Sequence, residues 1–371
     1  MSDPHVLHIP RWYPNRFDPQ LGIFVQKHAR VISQFTPSTV LYAHPDREIE
    51  DFELLHHTQG ALHEFIVYYP ASANRFRNLK NYRKALEQGM QALVSELGEP
   101  DLLHFHIHLK NIVEGKRLRP KLPYVVTEHW SGFVDGRFRL YPPWKKVLIR
   151  RHLKAASAVS VPSANMQRII RDILPEQQVV LTPNLIEMST ERIAKDDKVF
   201  LSVGDLRDVH KNMSGLMKAF READMPGWKL RIVGDGPDRH MLEEHRDELG
   251  LQDRVEFTGR KANPEVLREM KKVNFFVLNS NYESFGMVPA EAIMAGTPSI
   301  ATICGGPEEY IDPSNGKLIP VKGHEELVEA LEYMRDHWQD YQADKLMEGM
   351  VHRFGEQAVK ASFKDLYHRI A

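Results

Sequence analysis

Glu283-Ser284-Phe285-Gly286-Met287-Val288-Pro289-Ala290-Glu291 sets a carboxylate at each end of a change from loop to helix. On its N-terminal side, Val273-Asn274-Phe275-Phe276-Val277-Leu278 is a short apolar run, the pattern of a strand buried in a parallel sheet. On its C-terminal side, residues 290–295 read as a helix that stops at Gly296. Such a junction presents unpaired amides and the positive end of a helix dipole at the carboxyl edge of a sheet, a setting for a phosphate or a sugar hydroxyl. One glutamate falls in the loop and the other about two turns further down the helix, so the two can grip different parts of one elongated ligand.

The same alternation of short apolar runs and helical patterns extends in both directions. Upstream, Val6-Leu7-His8-Ile9-Pro10 reads as a first strand, residues 11–22 as a loop, and a helix begins near Ile23. Strands are expected at 38–43, 65–69, 102–107, 124–127 and 158–161, with helices at 78–97 and 144–156 between them. Periodicity lapses over 181–197, where turn formers collect, and an interdomain linker is expected there. The pattern then restarts, with strands at 199–203, 229–233, 255–258, 274–278 and 299–302. Helices at 214–222, 238–249, 264–271 and 325–335 separate or follow them. At 371 residues the chain is too long for one ordinary core, and the pattern is that of an α/β protein with parallel sheets in two Rossmann-like halves.

Composition excludes several classes. With 49 basic against 50 acidic residues there is no global field to attract nucleic acid. The single cysteine, Cys304, excludes an internal disulfide framework and a cysteine-based zinc site, fits a reducing compartment, and reads as strand-end packing. The first residues lack the pattern of a signal peptide, and no apolar run approaches the length of a membrane span. The expected location is cytoplasmic, with peripheral attachment to the inner face of the plasma membrane as the variant reading.

Four further elements lie in order in the same half of the chain as the glutamate junction: Gly204-Asp205-Leu206-Arg207-Asp208-Val209-His210-Lys211-Asn212, Ile232-Val233-Gly234-Asp235-Gly236-Pro237, Val255-Glu256-Phe257-Thr258-Gly259, and Gly305-Gly306-Pro307-Glu308-Glu309. Together with the spacing of Glu283 and Glu291, they resemble the family 4 glycosyltransferases, whose signature is E-x7-E. The resemblance implies a GT-B fold, two Rossmann-like domains with parallel sheets facing across a cleft. It places an acceptor domain at 1–185, a nucleotide-sugar donor domain at 186–355, and a C-terminal helix at 356–371 that crosses back onto the first domain. It implies retaining transfer of a hexosyl group from a UDP- or GDP-sugar to a saccharide or lipid-linked acceptor of surface polysaccharide or glycoconjugate assembly.

Residue by residue, the resemblance makes Lys211 the cation at the departing diphosphate, a task that suits a compact ammonium. Glu291 would take the ribose hydroxyls and Glu283 would lie near the sugar and the reacting phosphate. The amides of Ser284, Phe285, Gly286, Met287 and Val288 would hold sugar hydroxyls and phosphate oxygens, and Gly204 and Gly259 close strand-end loops on the donor. The family's arginine after the first of these glycines is replaced by Asp205. Either Arg207 delivers the guanidinium from two residues on, or it is a surface arginine. In the first half, Thr127-Glu128-His129 resembles the family's strand-end histidine at the donor sugar, and Gly22 stands where a glycine-rich loop approaches the diphosphate; the family often has two glycines there and this chain has one.

His104, His106 and His108 alternate along an expected strand and would share one face. No acidic or cysteine partner has matching spacing, and the family carries an Asp-x-x-His-x-His pattern there without metal. Metal and cofactor are both expected to be none, the nucleotide-sugar being a co-substrate. Two stretches, Arg75-Phe76-Arg77 with Lys80, Arg83 and Lys84, and 137–151, mix basic and aromatic residues, which suits an anionic membrane surface or a lipid pyrophosphate as well as an ordinary solvated face. Two alternatives stay open: a sugar-nucleotide epimerase on the same fold, and a catalytically silent sugar-nucleotide-binding protein.

Overall fold

The computed structural model describes residues 3–107, 110–189 and 191–370. The chain divides into two compact units, one of residues 1–162, 167–185 and 359–371, the other of residues 163–166 and 186–358.

The first unit is built on strands β1 (Val6–Pro10), β2 (Ser38–Asp46), β3 (Glu53–Gln59), β4 (Leu62–Pro70), β5 (Leu102–His106), β6 (Tyr124–Thr127), β7 (Ala158–Val161) and β8 (Val179–Leu181). Their order in the sheet is β3-β4-β2-β1-β5-β6-β7-β8. All pairings are parallel except β3 with β4, an antiparallel edge hairpin in which Gln59 faces Leu62. The core strands are apolar on both faces because helices cover both sides of a parallel sheet. The final helix, Glu356–His368, packs Val359, Phe363, Leu366 and Tyr367 against Val6, Val31, Ile32, Leu102 and Val125.

The second unit holds β9 (Val199–Val203), β10 (Lys229–Val233), β11 (Val255–Gly259), β12 (Phe275–Leu278), β13 (Ser299–Thr302) and β14 (Gly316–Ile319). The order β11-β10-β9-β12-β13-β14 is all parallel, the doubly wound arrangement in which strand order reverses between the first strand and the fourth. One side of the sheet buries Phe200, Phe220, Trp228 and Phe275, with Phe200 and Phe275 stacked at 5.0 Å. The other buries Leu201, Phe276, Phe285, Ile293 and Phe354.

Nine of the eleven expected strands coincide with observed ones to within a residue at each end, while β2 and β4 run three residues further than expected at one end. Two expectations need correction. The helix after the signature stretch begins at Met287, not Ala290, so Glu291 is its fifth residue and lies little more than one turn from its start. Strand β5 ends at His106: Ile107 takes a left-handed conformation (φ 69°), so the alternation that placed three histidines on one face applies to His104 and His106. His108 lies outside the described residues.

Candidate functional site

In the second unit the strand order reverses between β9 and β12, so the loops leaving their carboxyl ends diverge around a crevice, where doubly wound sheets bind ligands. The loop after β9 carries Gly204 and Lys211; the loop after β12 carries Glu283. Polar side chains stitch these loops together. Asn279 Nδ2 donates to the Asn212 carbonyl (3.0 Å), Asn281 Nδ2 to the Val209 carbonyl (2.9 Å), and His210 Nε2 lies 3.0 Å from the Tyr282 carbonyl while the two rings stack.

Lys211 and Glu283 meet within this framework. Lys211 Nζ donates to Glu283 Oε1 at 2.5 Å, and Ser280 Oγ donates to the same oxygen at 2.9 Å. The side chains are 11% and 14% exposed, so this is a largely desolvated pair with a small opening to solvent. Burial by itself raises the Glu283 carboxyl, but the charge of Lys211 and the hydrogen bonds from Lys211 and Ser280 outweigh it and hold the group below the ordinary carboxylate range. Gly204 makes room for this: a Cβ there would come within 3.1 Å of Lys211 Cε.

The helix Met287–Met294 starts from Gly286, whose left-handed φ of 78° suits a residue without Cβ. Tyr310 donates its hydroxyl to the Gly286 carbonyl, and a Cβ on Gly286 would lie 2.9 Å from that hydroxyl and from Pro307. The turn is thereby fixed from behind. In front, the N–H groups of Met287 and Val288 have no acceptor within the helix, and Pro289 has no N–H to offer. Phe285 points inward and packs against Tyr310 and Phe354, so it contributes its backbone rather than its ring to the opening. Ser284 is half-buried beside it, and Glu291 is buried on the helix. Gly259 (φ 76°) ends β11, next to Arg239.

Arg207 is elsewhere in character. It is 60% exposed and its Nε donates to Asp205 at 2.9 Å, so the substituted position and its candidate replacement bind each other at the surface. Gly22 and His129 belong to the first unit. Gly22 takes a left-handed φ of 66° just before the helix Ile23–Ser33, where a Cβ would strike the Trp12 carbonyl. That helix sends Phe24 and His28 against the His129 ring, at 4.6 and 5.6 Å between centroids. Burial, with His28 nearby, pushes His129 well below the usual histidine range, so its ring is neutral.

Sequence reasoning missed Ser280, His210 and Tyr310. Each supports a residue that was found, and the signal for them was present: Ser280 and Tyr310 flank the signature and the Gly305-Gly306-Pro307 element, and His210 precedes Lys211. Cys304 is buried past the end of β13, and its carbonyl accepts the Glu283 N–H at 2.9 Å. Burial pushes its thiol up to about 12, as befits packing rather than nucleophilic chemistry.

The sequence profile of the glycosyl transferases group 1 matches residues 186–349 and that of Glycosyltransferase Family 4 matches residues 22–190. Among solved structures, a sucrose-phosphate synthase from Thermosynechococcus elongatus superimposes with a TM-score of 0.81 at 20% identity, covering 99% of each chain. HepE of Anabaena, crystallised with UDP, gives 0.73 at 16%, over 98% of this chain and 99% of its own. The fold is therefore GT-B, and the chain belongs to the family 4 glycosyltransferases. Among curated relatives, the lipopolysaccharide core biosynthesis glycosyltransferase LpsD of Rhizobium meliloti is 35% identical over 46% of this chain and 50% of its own length. The alpha-monoglucosyldiacylglycerol synthase of Streptococcus pneumoniae is 26% identical over 60% of this chain and 55% of its own. The chain spans about half the length of these curated relatives.

Proposed function

We propose that the protein is a retaining glycosyltransferase that moves a hexosyl group from a UDP- or GDP-sugar to a saccharide or lipid-linked acceptor in the assembly of lipopolysaccharide, other surface polysaccharide or glycoconjugate. The observation that carries this reading is the desolvated Lys211–Glu283 pair at the reversal point of the second sheet, beside the start of a helix. The family to which the chain belongs and relatives named for lipopolysaccharide core and glycolipid synthesis support it.

Departure of a nucleoside diphosphate concentrates negative charge on one oxygen, and the catalytic task is to have cationic and N–H partners already in place. Lys211 is the cation, and the amides of Ser284, Phe285, Gly286, Met287 and Val288 are the N–H partners. As phosphate enters, the ammonium turns part of its hydrogen bonding from Glu283 to the phosphate oxygens. Glu283 then faces the sugar, where its ionised carboxylate stabilises oxocarbenium-like charge. Substitution on the face the leaving group vacates accounts for retention without a second carboxylate as nucleophile. Glu291 takes the ribose hydroxyls, Gly204 and Gly259 admit the donor to the strand ends, and residues 186–355 form the donor domain. Residues 1–185 form the acceptor domain, from which His129 serves the donor sugar and Gly22 the diphosphate; residues 356–371 complete it. Leaving-group charge is met by side chain and backbone, so turnover does not depend on a divalent ion.

The acceptor side is read from the first unit, where Leu140, Trp144 and Val147 are exposed among Arg139, Lys145, Lys146, Arg150 and Arg151 on a short 3-10 turn and the helix Pro143–Lys154. Apolar side chains standing out among cations suit an anionic leaflet holding a lipid-linked acceptor. No helix among the described residues is long and apolar enough to cross a membrane.

The test is a screen of UDP- and GDP-sugars by thermal stabilisation followed by turnover with and without a chelator. One donor nucleotide should raise the melting midpoint by mass action and be consumed slowly with water as acceptor. Binding without turnover would favour the silent sugar-nucleotide-binding protein, and conversion of the sugar nucleotide without release of nucleoside diphosphate would favour the epimerase. Vesicles containing anionic lipid should retain the protein, and Trp144→Ala should release it.

A further inference from the structure

Five histidines meet in the first unit at the point where its own strand order reverses. His8 comes from β1, His104 and His106 from β5, His28 from the helix Ile23–Ser33, and His129 from the loop after β6. All are buried, and their rings lie in one contiguous group, His104 on His106 at 4.2 Å, His8 on His106 at 5.5 Å, His28 on His129 at 5.6 Å. Buried imidazoles in a core ordinarily have partners for both nitrogens. His104 does: Nε2 meets Thr127 Oγ1 at 2.6 Å and Nδ1 meets the Tyr367 hydroxyl at 2.8 Å.

The other side of the cluster differs. His106 Nδ1 and His129 Nε2 have no hydrogen-bond partner, and neither His28 nitrogen completes one of ordinary geometry, although its ring faces the Pro183 carbonyl. His28, His106 and His129 each offer one nitrogen within 4.8 Å of the other two. A point no more than about 2.8 Å from all three therefore exists, and inward movements of about 0.7 Å bring it to the Zn–N distance of about 2.1 Å. The far side of His106 is already oriented, its Nε2 lying 3.2 Å from His8 Nδ1, the kind of outer contact that fixes a ligating ring.

We propose that His28, His106 and His129 form a binding site for one divalent transition-metal ion of the Zn2+ class. Three imidazole nitrogens without a carboxylate or thiolate select zinc, nickel or copper over magnesium, calcium or manganese. Burial keeps the three rings neutral, the form that ligates. The ion holds the His129 ring. Resting on the glycosyltransferase reading, loading it lowers turnover in step with occupancy by taking His129 from the donor sugar.

Two other groups stand within ligating reach in this unit, His8 with His104 and His106, and His56 with His63 and Glu96, but their members are already paired: His8 with His106 at 3.2 Å, His104 with Thr127 and Tyr367, and His56 with His63 at 3.2 Å and with Glu96 at 3.1 Å. The experiment is titration of the metal-stripped full chain with Zn2+ by calorimetry, and with Co2+ by visible absorption. One equivalent of Zn2+ should bind, and Co2+ should give the intense bands of a four- or five-coordinate nitrogen site. His106→Gln should weaken binding at least about a hundredfold, more than loss of an outer contact does, and His56→Gln should leave it unchanged. Absence of a stoichiometric site in the wild type, with the nitrogens served by water only, or loss of it in His56→Gln, would overturn the assignment. Cobalt absorption in the wild type keeps the test decisive if His106→Gln does not fold. Binding without inhibition would remove His129's assigned role and leave the metal site standing.

Discussion

Glu283 is largely desolvated with the Lys211 cation beside it, and removing either partner strands the other. Lys211→Met leaves an uncompensated carboxylate and should cost roughly 3 kcal/mol of unfolding free energy, whereas the double variant Lys211→Met/Glu283→Gln should recover most of it. Denaturant titration of the three proteins checks this. Activity should not recover in parallel: each single change should lower kcat by about 100-fold or more and the double change should restore none of it. Arg207→Ala, at an exposed residue tied to Asp205, should change stability by less than about 0.5 kcal/mol and lower kcat/KM at least tenfold less than Lys211→Ala. Because Glu283 is held below its unfolded carboxyl value, its pair contributes in full above about pH 5 and is lost as pH falls through the depressed value. Unfolding curves between pH 7 and pH 3 should therefore fall less steeply in Glu283→Gln. These residue identities were legible in the sequence because E-x7-E and the lysine loop are local patterns. Their hydrogen bonding to each other was not, since 72 residues separate Lys211 from Glu283.

At the scale of the element, the turn into the helix Met287–Met294 concentrates the constraints. Gly286→Ala forces a side chain into a left-handed conformation and against Tyr310 and Pro307, and should destabilise by about 1–3 kcal/mol. If the turn aligns the helix amides on the donor, donor-induced thermal stabilisation should disappear even at temperatures where the variant is folded. The sequence reading began this helix three residues late; in the structure Pro289 is a first-turn residue, where a missing N–H costs nothing. It also passed over β3, β8 and β14. The first is a polar edge strand whose place comes from its hairpin partner β4, and the other two are short strands on outer edges, beside β7 and β13; none has the long apolar run of a central strand. Central strands were placed well because burial on both faces writes itself into composition.

Over the whole molecule, the final helix belongs to the core of the first unit although it follows the second in sequence. Phe363 is fully buried there in a cluster with residues from five strands, so Phe363→Ala should cost about 3–5 kcal/mol, read as a lower denaturation midpoint. The alternation of strand and helix determined an α/β chain, and the ordered glycine and glutamate motifs determined its family, because both are written in neighbouring residues. Strand order, the ion pair that couples the loops after β9 and β12, and the meeting of His28, His106 and His129 were decided by tertiary structure alone. Each depends on which strand lies next to which, and hydrogen-bonded neighbours in a doubly wound sheet come from distant parts of the chain, so no local pattern encodes their contact.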